Sequence, residues 1–156
     1  MRYRNSVLFL LLFGTLLYGS LPPRISPPSE DEVLRESLGM VAAQSLYATY
    51  LAIGAICDGT AQNVYDRETA DPLLLHLNRI SDAMAEQMGK LLSSGLLEGE
   101  DVTAVQRIMD ANLALSAQAR AYRDFMRTGN RAHTKIYEEK RKDAWARIKI
   151  ILNIEE

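Results

Sequence analysis

Twenty consecutive residues without a charge, Leu38 to Cys57 (LGMVAAQSLYATYLAIGAIC), decide what this chain can be. Such a run either crosses a bilayer, whose hydrocarbon core takes about 20 apolar residues, or forms a helix buried in protein. Gln44, Ser45, Tyr47, Thr49 and Tyr50 fall within it, and polar groups are costly at mid-bilayer. Leu46, Tyr50, Ile53, Cys57, Ala61 and Val64 recur at steps of 4, 3, 4, 4 and 3, so the apolar seam continues past Asp58 and Gly59, where a span would stop. The flanks are acidic, with Glu30, Asp31, Glu32 and Glu36 before and Asp58 and Asp66 after. A span returning to the cytoplasm needs Lys and Arg there. The run is therefore read as the central helix of a soluble bundle.

A second apolar run has another character. Arg2 and Arg4 precede Val7 to Tyr18 (VLFLLLFGTLLY), and the polar, proline-rich LPPRISPPSEDE comes next. Basic n-region, apolar h-region and polar exit are the layout of an export signal. Cleavage after Gly19 or Ser20 would put Leu17 or Tyr18 at −3, where a small residue is expected. Residues 1–20 thus read as a signal peptide or an uncleaved signal anchor. Either places the residues after Leu21 outside the cytoplasm, as an extracytoplasmic protein anchored to the membrane or secreted. Residues 21–28 hold four of the five prolines and read as a stiff spacer of about 25 Å.

Residues 29–156 form the domain, and their pattern is helical throughout. Ser29 with Glu32 offers a capping box for helix 1, which can run to about Arg67 with a kink or break near Gly54 or Gly59. Asp71-Pro72 suits the start of helix 2, with a seam of Leu73, Leu77, Ile80, Met84, Met88 and Leu91 and a left-handed stop at Gly95. Helix 3 has the most regular seam: Val105, Ile108, Asn112, Leu115, Ala119, Tyr122 and Met126, a 3.5-residue period that suits coiled-coil packing. Leu113, about 200° round the helix from Leu115, should be exposed. Helix 4, from Arg131 to Ile154, packs Ile136, Tyr137, Ala144, Trp145, Ile148, Ile151 and Leu152. The expected fold is all-α, an up-down-up-down four-helix bundle behind an N-terminal signal or anchor segment.

Charge is uneven within a net of −2. Glu30 to Asp101 carries 13 acidic and 4 basic residues, and Val102 to Glu156 carries 11 basic and 7 acidic. The two halves can neutralise each other within the fold, and the basic half is too weakly charged for a nucleic-acid surface. One cysteine, Cys57, allows no intrachain disulfide. On an apolar seam with no basic neighbour it reads as a buried, unreactive thiol.

No nucleotide-binding, zinc-protease, c-type haem or serine-hydrolase motif occurs, and no acid–base or nucleophile pair is visible. The reading is of a non-enzyme with no cofactor and no metal. His76 and His133 are the candidates for cofactor binding, and a pocket between helices is the other. Ile150 and Ile154 widen the apolar face of helix 4 beside the basic Lys140, Arg141 and Lys142, so these five are the candidate interaction residues. The function expected is protein–protein interaction or self-association by an exported, membrane-tethered bundle. An extracytoplasmic ligand- or cofactor-binding bundle is the alternative. Its outline is similar to that of receptor sensor domains, a likeness of architecture alone.

Overall fold

A computed structural model describes residues 29–154. The signal or anchor segment and the proline spacer lie outside the described residues. The chain divides into two units, Met1–Leu34 and Arg35–Glu156. Within the described part of the first, the Ser29 hydroxyl accepts the Glu32 N–H at 3.2 Å, capping the helix that begins at Glu30.

The helices, in chain order, are α1 (Glu30–Ala61), α2 (Arg67–Ser93), α3 (Glu100–Thr128) and α4 (Arg131–Leu152). They make an all-α four-helix bundle, with no strand among the described residues. Short turns give each helix the opposite direction to the one before it. Glycine or asparagine in the left-handed region makes the stops: Asn63 (φ 59°) after α1, Gly95 (φ 72°) after α2 and Gly129 (φ 64°) after α3. The Gly129 N–H closes α3 by donating to the Phe125 carbonyl at 2.8 Å, and the Asn130 side chain caps α4 by accepting the Ala132 N–H.

α3 holds the centre. Ala111, Asn112, Ala114, Leu115, Ser116, Gln118, Ala119, Ala121 and Tyr122 are buried, which is most of its circumference. Its four buried alanines let α2 and α4 come close, to Cα–Cα distances within 8 Å. Every residue of the expected helix 3 seam except the half-buried Val105 at its start is inside the core or packed against it, and Leu113 is 48% exposed against 0% for Leu115.

Three sequence expectations are corrected. First, α1 runs through Gly54 and Gly59 without a break and ends at Ala61, before Arg67. Second, α2 starts at Arg67 rather than at Asp71. The Asp66 carboxylate accepts the Thr69 N–H at 2.7 Å and wins the cap, so Pro72 sits inside the helix. The carbonyl that the proline leaves unpaired belongs to exposed Glu68, where water can take it. Third, the α2 core face is Ala70, Leu74, Asn78, Ser81 and Ala85. That is one residue, about 100°, round from the expected seam, and Leu73, Ile80 and Met84 are left exposed. A polar knot turns the helix. Asn78 Nδ2 donates to Ser116 Oγ at 2.6 Å, Ser116 Oγ donates to Asp82 Oδ1 at 2.5 Å, and Arg120 donates to Ser116 Oγ at 3.0 Å.

Candidate functional site

α1 departs most from its expected place. The charge-free run was read as the central helix, yet only Leu46, Ile53 and Cys57 of α1 are buried. That one stripe meets the rest of the bundle through side chains. Tyr122 on α3 donates its hydroxyl to the Cys57 carbonyl at 2.8 Å, and Tyr50 stacks on Trp145 of α4 with ring centroids 5.4 Å apart. Near the start of the helix, Arg35 reaches Asp101 of α3 at 3.6 Å.

The opposite side of α1 carries a second stripe. Val41, Gln44, Ala48, Leu51 and Ala55 recur at steps of 3, 4, 3 and 4, and all are exposed. Ala48 and Ala55 lie about 180–200° round the helix from Leu46. Leu38 and Met40, a turn earlier, are exposed as well. Among the described residues α1 is the one helix long and apolar enough to cross a membrane, judged by length and composition.

Between α1 and α4 runs a groove of about 540 Å³. Tyr50, Gly54 and Asp58 form one wall, and Tyr137, Glu138 and Arg141 the other. The groove is open at Gly54, where a Cβ would meet no atom within 4 Å. The aromatic walls are braced: Tyr50 lies on Trp145, and Tyr137 packs edge-on against Tyr122 at 4.9 Å. Arg141 donates from Nε and Nη2 to Glu138, both bonds ending on Oε2 at 3.0 and 2.8 Å. Asp58 has no ion-pair partner among the described residues.

Behind this groove lie Cys57, Tyr137 and Gln118. Burial pushes the Cys57 thiol up to about 12, with the nearby Asp58 and Glu138 carboxylates adding to it against a hydrogen bond from Tyr137. Burial likewise raises the Tyr137 phenol, reinforced by Cys57. Both groups are therefore neutral near pH 7, and neither is poised as a nucleophile. Gln118 is fully buried beside Tyr137, and neither its Nε2 nor its Oε1 has a well-formed hydrogen bond.

The candidates from sequence are dispersed. His76 is exposed on α2, and His133 is half-buried in the first turn of α4. Among the described residues, no three His, Cys, Asp or Glu side chains are grouped to hold a metal ion. Ile150 and Ile154 are both exposed at the end of α4, where with Arg107 and Lys149 they border a hollow of about 520 Å³. Lys140 and Lys142 are exposed, whereas Arg141 is half-buried and turned into the groove by Glu138. A pocket between helices is among the sequence expectations, but the residues that line it are not legible there. Gly54 and Ala55 facing a tyrosine-bearing helix were its only trace, and that pairing depends on which helices are neighbours.

No protein-family model, curated protein or solved structure matches this chain.

Proposed function

We propose that the protein is an exported, membrane-tethered helical bundle that works through protein–protein contact, including contact with a second copy of itself. The observation that carries this reading is the second stripe of α1. A helix apolar nearly all round belongs in an interior, yet this one has a single stripe covered. The stripe from Val41 to Ala55 has the 3.5-residue period that a partner helix would need, and its small residues would admit a close approach. Export and tethering are supported by the basic and apolar pattern of residues 1–20.

Cross-linking in membranes of the producing cell tests this. Ala48→Cys in the full chain should form a disulfide-linked or reagent-linked species. Gln87→Cys, exposed on α2, should not. A linked species twice the mass of the chain identifies a second copy, and another mass identifies a different partner. Ala48→Cys that stays monomeric while labelling from within the lipid would assign the stripe to the bilayer and overturn the reading. A reporter fused after Glu156 should be active only outside the cytoplasm.

A further inference from the structure

The α1–α4 groove has a chemistry that the proposed interface does not use. Its walls carry three charges: Asp58, Glu138 and Arg141. Arg141 is committed to Glu138, and both of its hydrogen bonds end on Oε2, which leaves Oε1 open among the described residues. The Asp58 carboxylate has no ion-pair partner among them either. The groove therefore has a net charge of −1 and two carboxylates with open oxygen positions. Two tyrosine rings, Tyr50 and Tyr137, line the same space and are held rigid by Trp145 and Tyr122. The volume of about 540 Å³ is within the range of small-ligand sites. Gly54 leaves room where any larger residue would project into it.

We infer that this groove binds a small organic cation, a protonated amine or quaternary ammonium on a compact apolar body. The charged head is recognised by the half-exposed Tyr50 ring and by the Asp58 and Glu138 carboxylates, over a floor made by buried Tyr137. Rigid aromatic faces attract a cation through their quadrupoles, and nearby carboxylates add Coulomb attraction. An anion is disfavoured on these walls, because the guanidinium is already neutralised. The apolar body lies along Leu51 and Ala55.

The protein carries its own reporter. Trp145 is the single tryptophan and is stacked on Tyr50, so a ligand pressing on Tyr50 changes its fluorescence. Titrating the full chain with phenethylamine, 2-phenylethanol and phenylacetate varies the head group at constant body. The amine should give a saturable change and bind about tenfold more tightly than the alcohol, with the carboxylate weaker still. Choline provides the quaternary arm. Gly54→Leu, which fills the groove, should abolish the response. Asp58→Asn is an exposed change that leaves the core intact, and it should weaken amine binding several-fold while leaving the alcohol unaffected. If Gly54→Leu does not fold, the Asp58→Asn contrast decides. No saturable response to either cation, equal binding of amine and alcohol, or indifference to Asp58→Asn would each overturn the assignment. Because Leu51 and Ala55 also belong to the outward stripe of α1, the titrations use monomeric protein, in which no partner covers them, and so read the groove independently of the proposed interface.

Discussion

Gln118 is the most informative single position in the core. It is 0% exposed, and neither of its amide atoms makes a good hydrogen bond. An unmet buried donor or acceptor costs about 1–3 kcal/mol. Methionine has nearly the same length and shape, and it adapts to irregular space. Gln118→Met should therefore stabilise the fold by about 1–2 kcal/mol, less than the full penalty because the Tyr137 hydroxyl lies beside the amide. For a domain of this size that is a rise in Tm of about 3–10 °C. Urea and thermal melts of the two proteins measure it, with an unchanged m-value showing that the denatured state is not the cause. A loss of more than about 1 kcal/mol would refute the reasoning. It would mean that the amide is satisfied in solution, by water or by a shifted Tyr137.

Burial and charge set three further outcomes. Leu115→Ala should cost about 2–5 kcal/mol, and Leu113→Ala, half-exposed one face away, well under half of that; similar losses in denaturant melts would contradict the α3 placement. Cys57 ionises near 9.0 when free and about 12 when folded. Its raised value means that its contribution to stability is full below pH 9 and is lost as pH climbs towards 12, so Cys57→Ala should flatten the alkaline limb of a stability–pH curve, and native protein should resist thiol alkylation at pH 8. Arg123 holds the Asp71 carboxyl below the usual carboxylate range through hydrogen bonds of 2.8 and 3.2 Å. A depressed value stabilises above the unfolded pKa and is lost as pH falls through the folded one, so Arg123→Gln should weaken the neutral-pH fold and leave the most acidic part of the curve unchanged.

Where one face of a helix is buried by one kind of side chain, the sequence was legible. The α3 seam and the caps at Asn130 and Gly129 come from period and turn chemistry alone. The α2 face was not, because hydropathy ranks Leu73, Ile80 and Met84 above Asn78 and Ser81. The bundle instead turns inward the residues small enough to pack on α3 and able to bond Ser116 and Asp82. Asn112 is a second buried amide, on the α3 seam. Its Nδ2 donates to the Ile108 carbonyl one turn back at 2.9 Å, a bond within its own helix. Asn78 makes the inter-helix bond instead, and nothing in its local sequence sets it apart from Asn112. The start of α2 turned on two adjacent caps, Asp66 and Asp71, and a local reading favours the one beside proline. Tertiary context reverses that choice, since Asp71 is engaged by Arg123.

Charge and hydropathy, the two asymmetries of the sequence, end differently in the fold. The acidic and basic halves meet each other at Asp71 with Arg123 and Asp82 with Arg120, and Asp101 pairs with Arg35 within the acidic half. On α4, Arg141 pairs with Glu138, and Arg147 with Asp143 and Asp110. Part of the charge asymmetry is thus paired within the chain. The surplus of apolar surface on α1 is not settled in the same way. A bundle helix needs one covered stripe, and α1 has two, of which the fold covers the one containing Leu46, Ile53 and Cys57. Hydropathy states that a surface should leave water, and it does not state against what. Reading Leu38 to Cys57 as a core helix assumed that the covering surface lay in the same chain. The burial pattern leaves part of that surface uncovered among the described residues, and under the proposed function the outward stripe of α1, rather than the basic face of α4, is where a partner is sought.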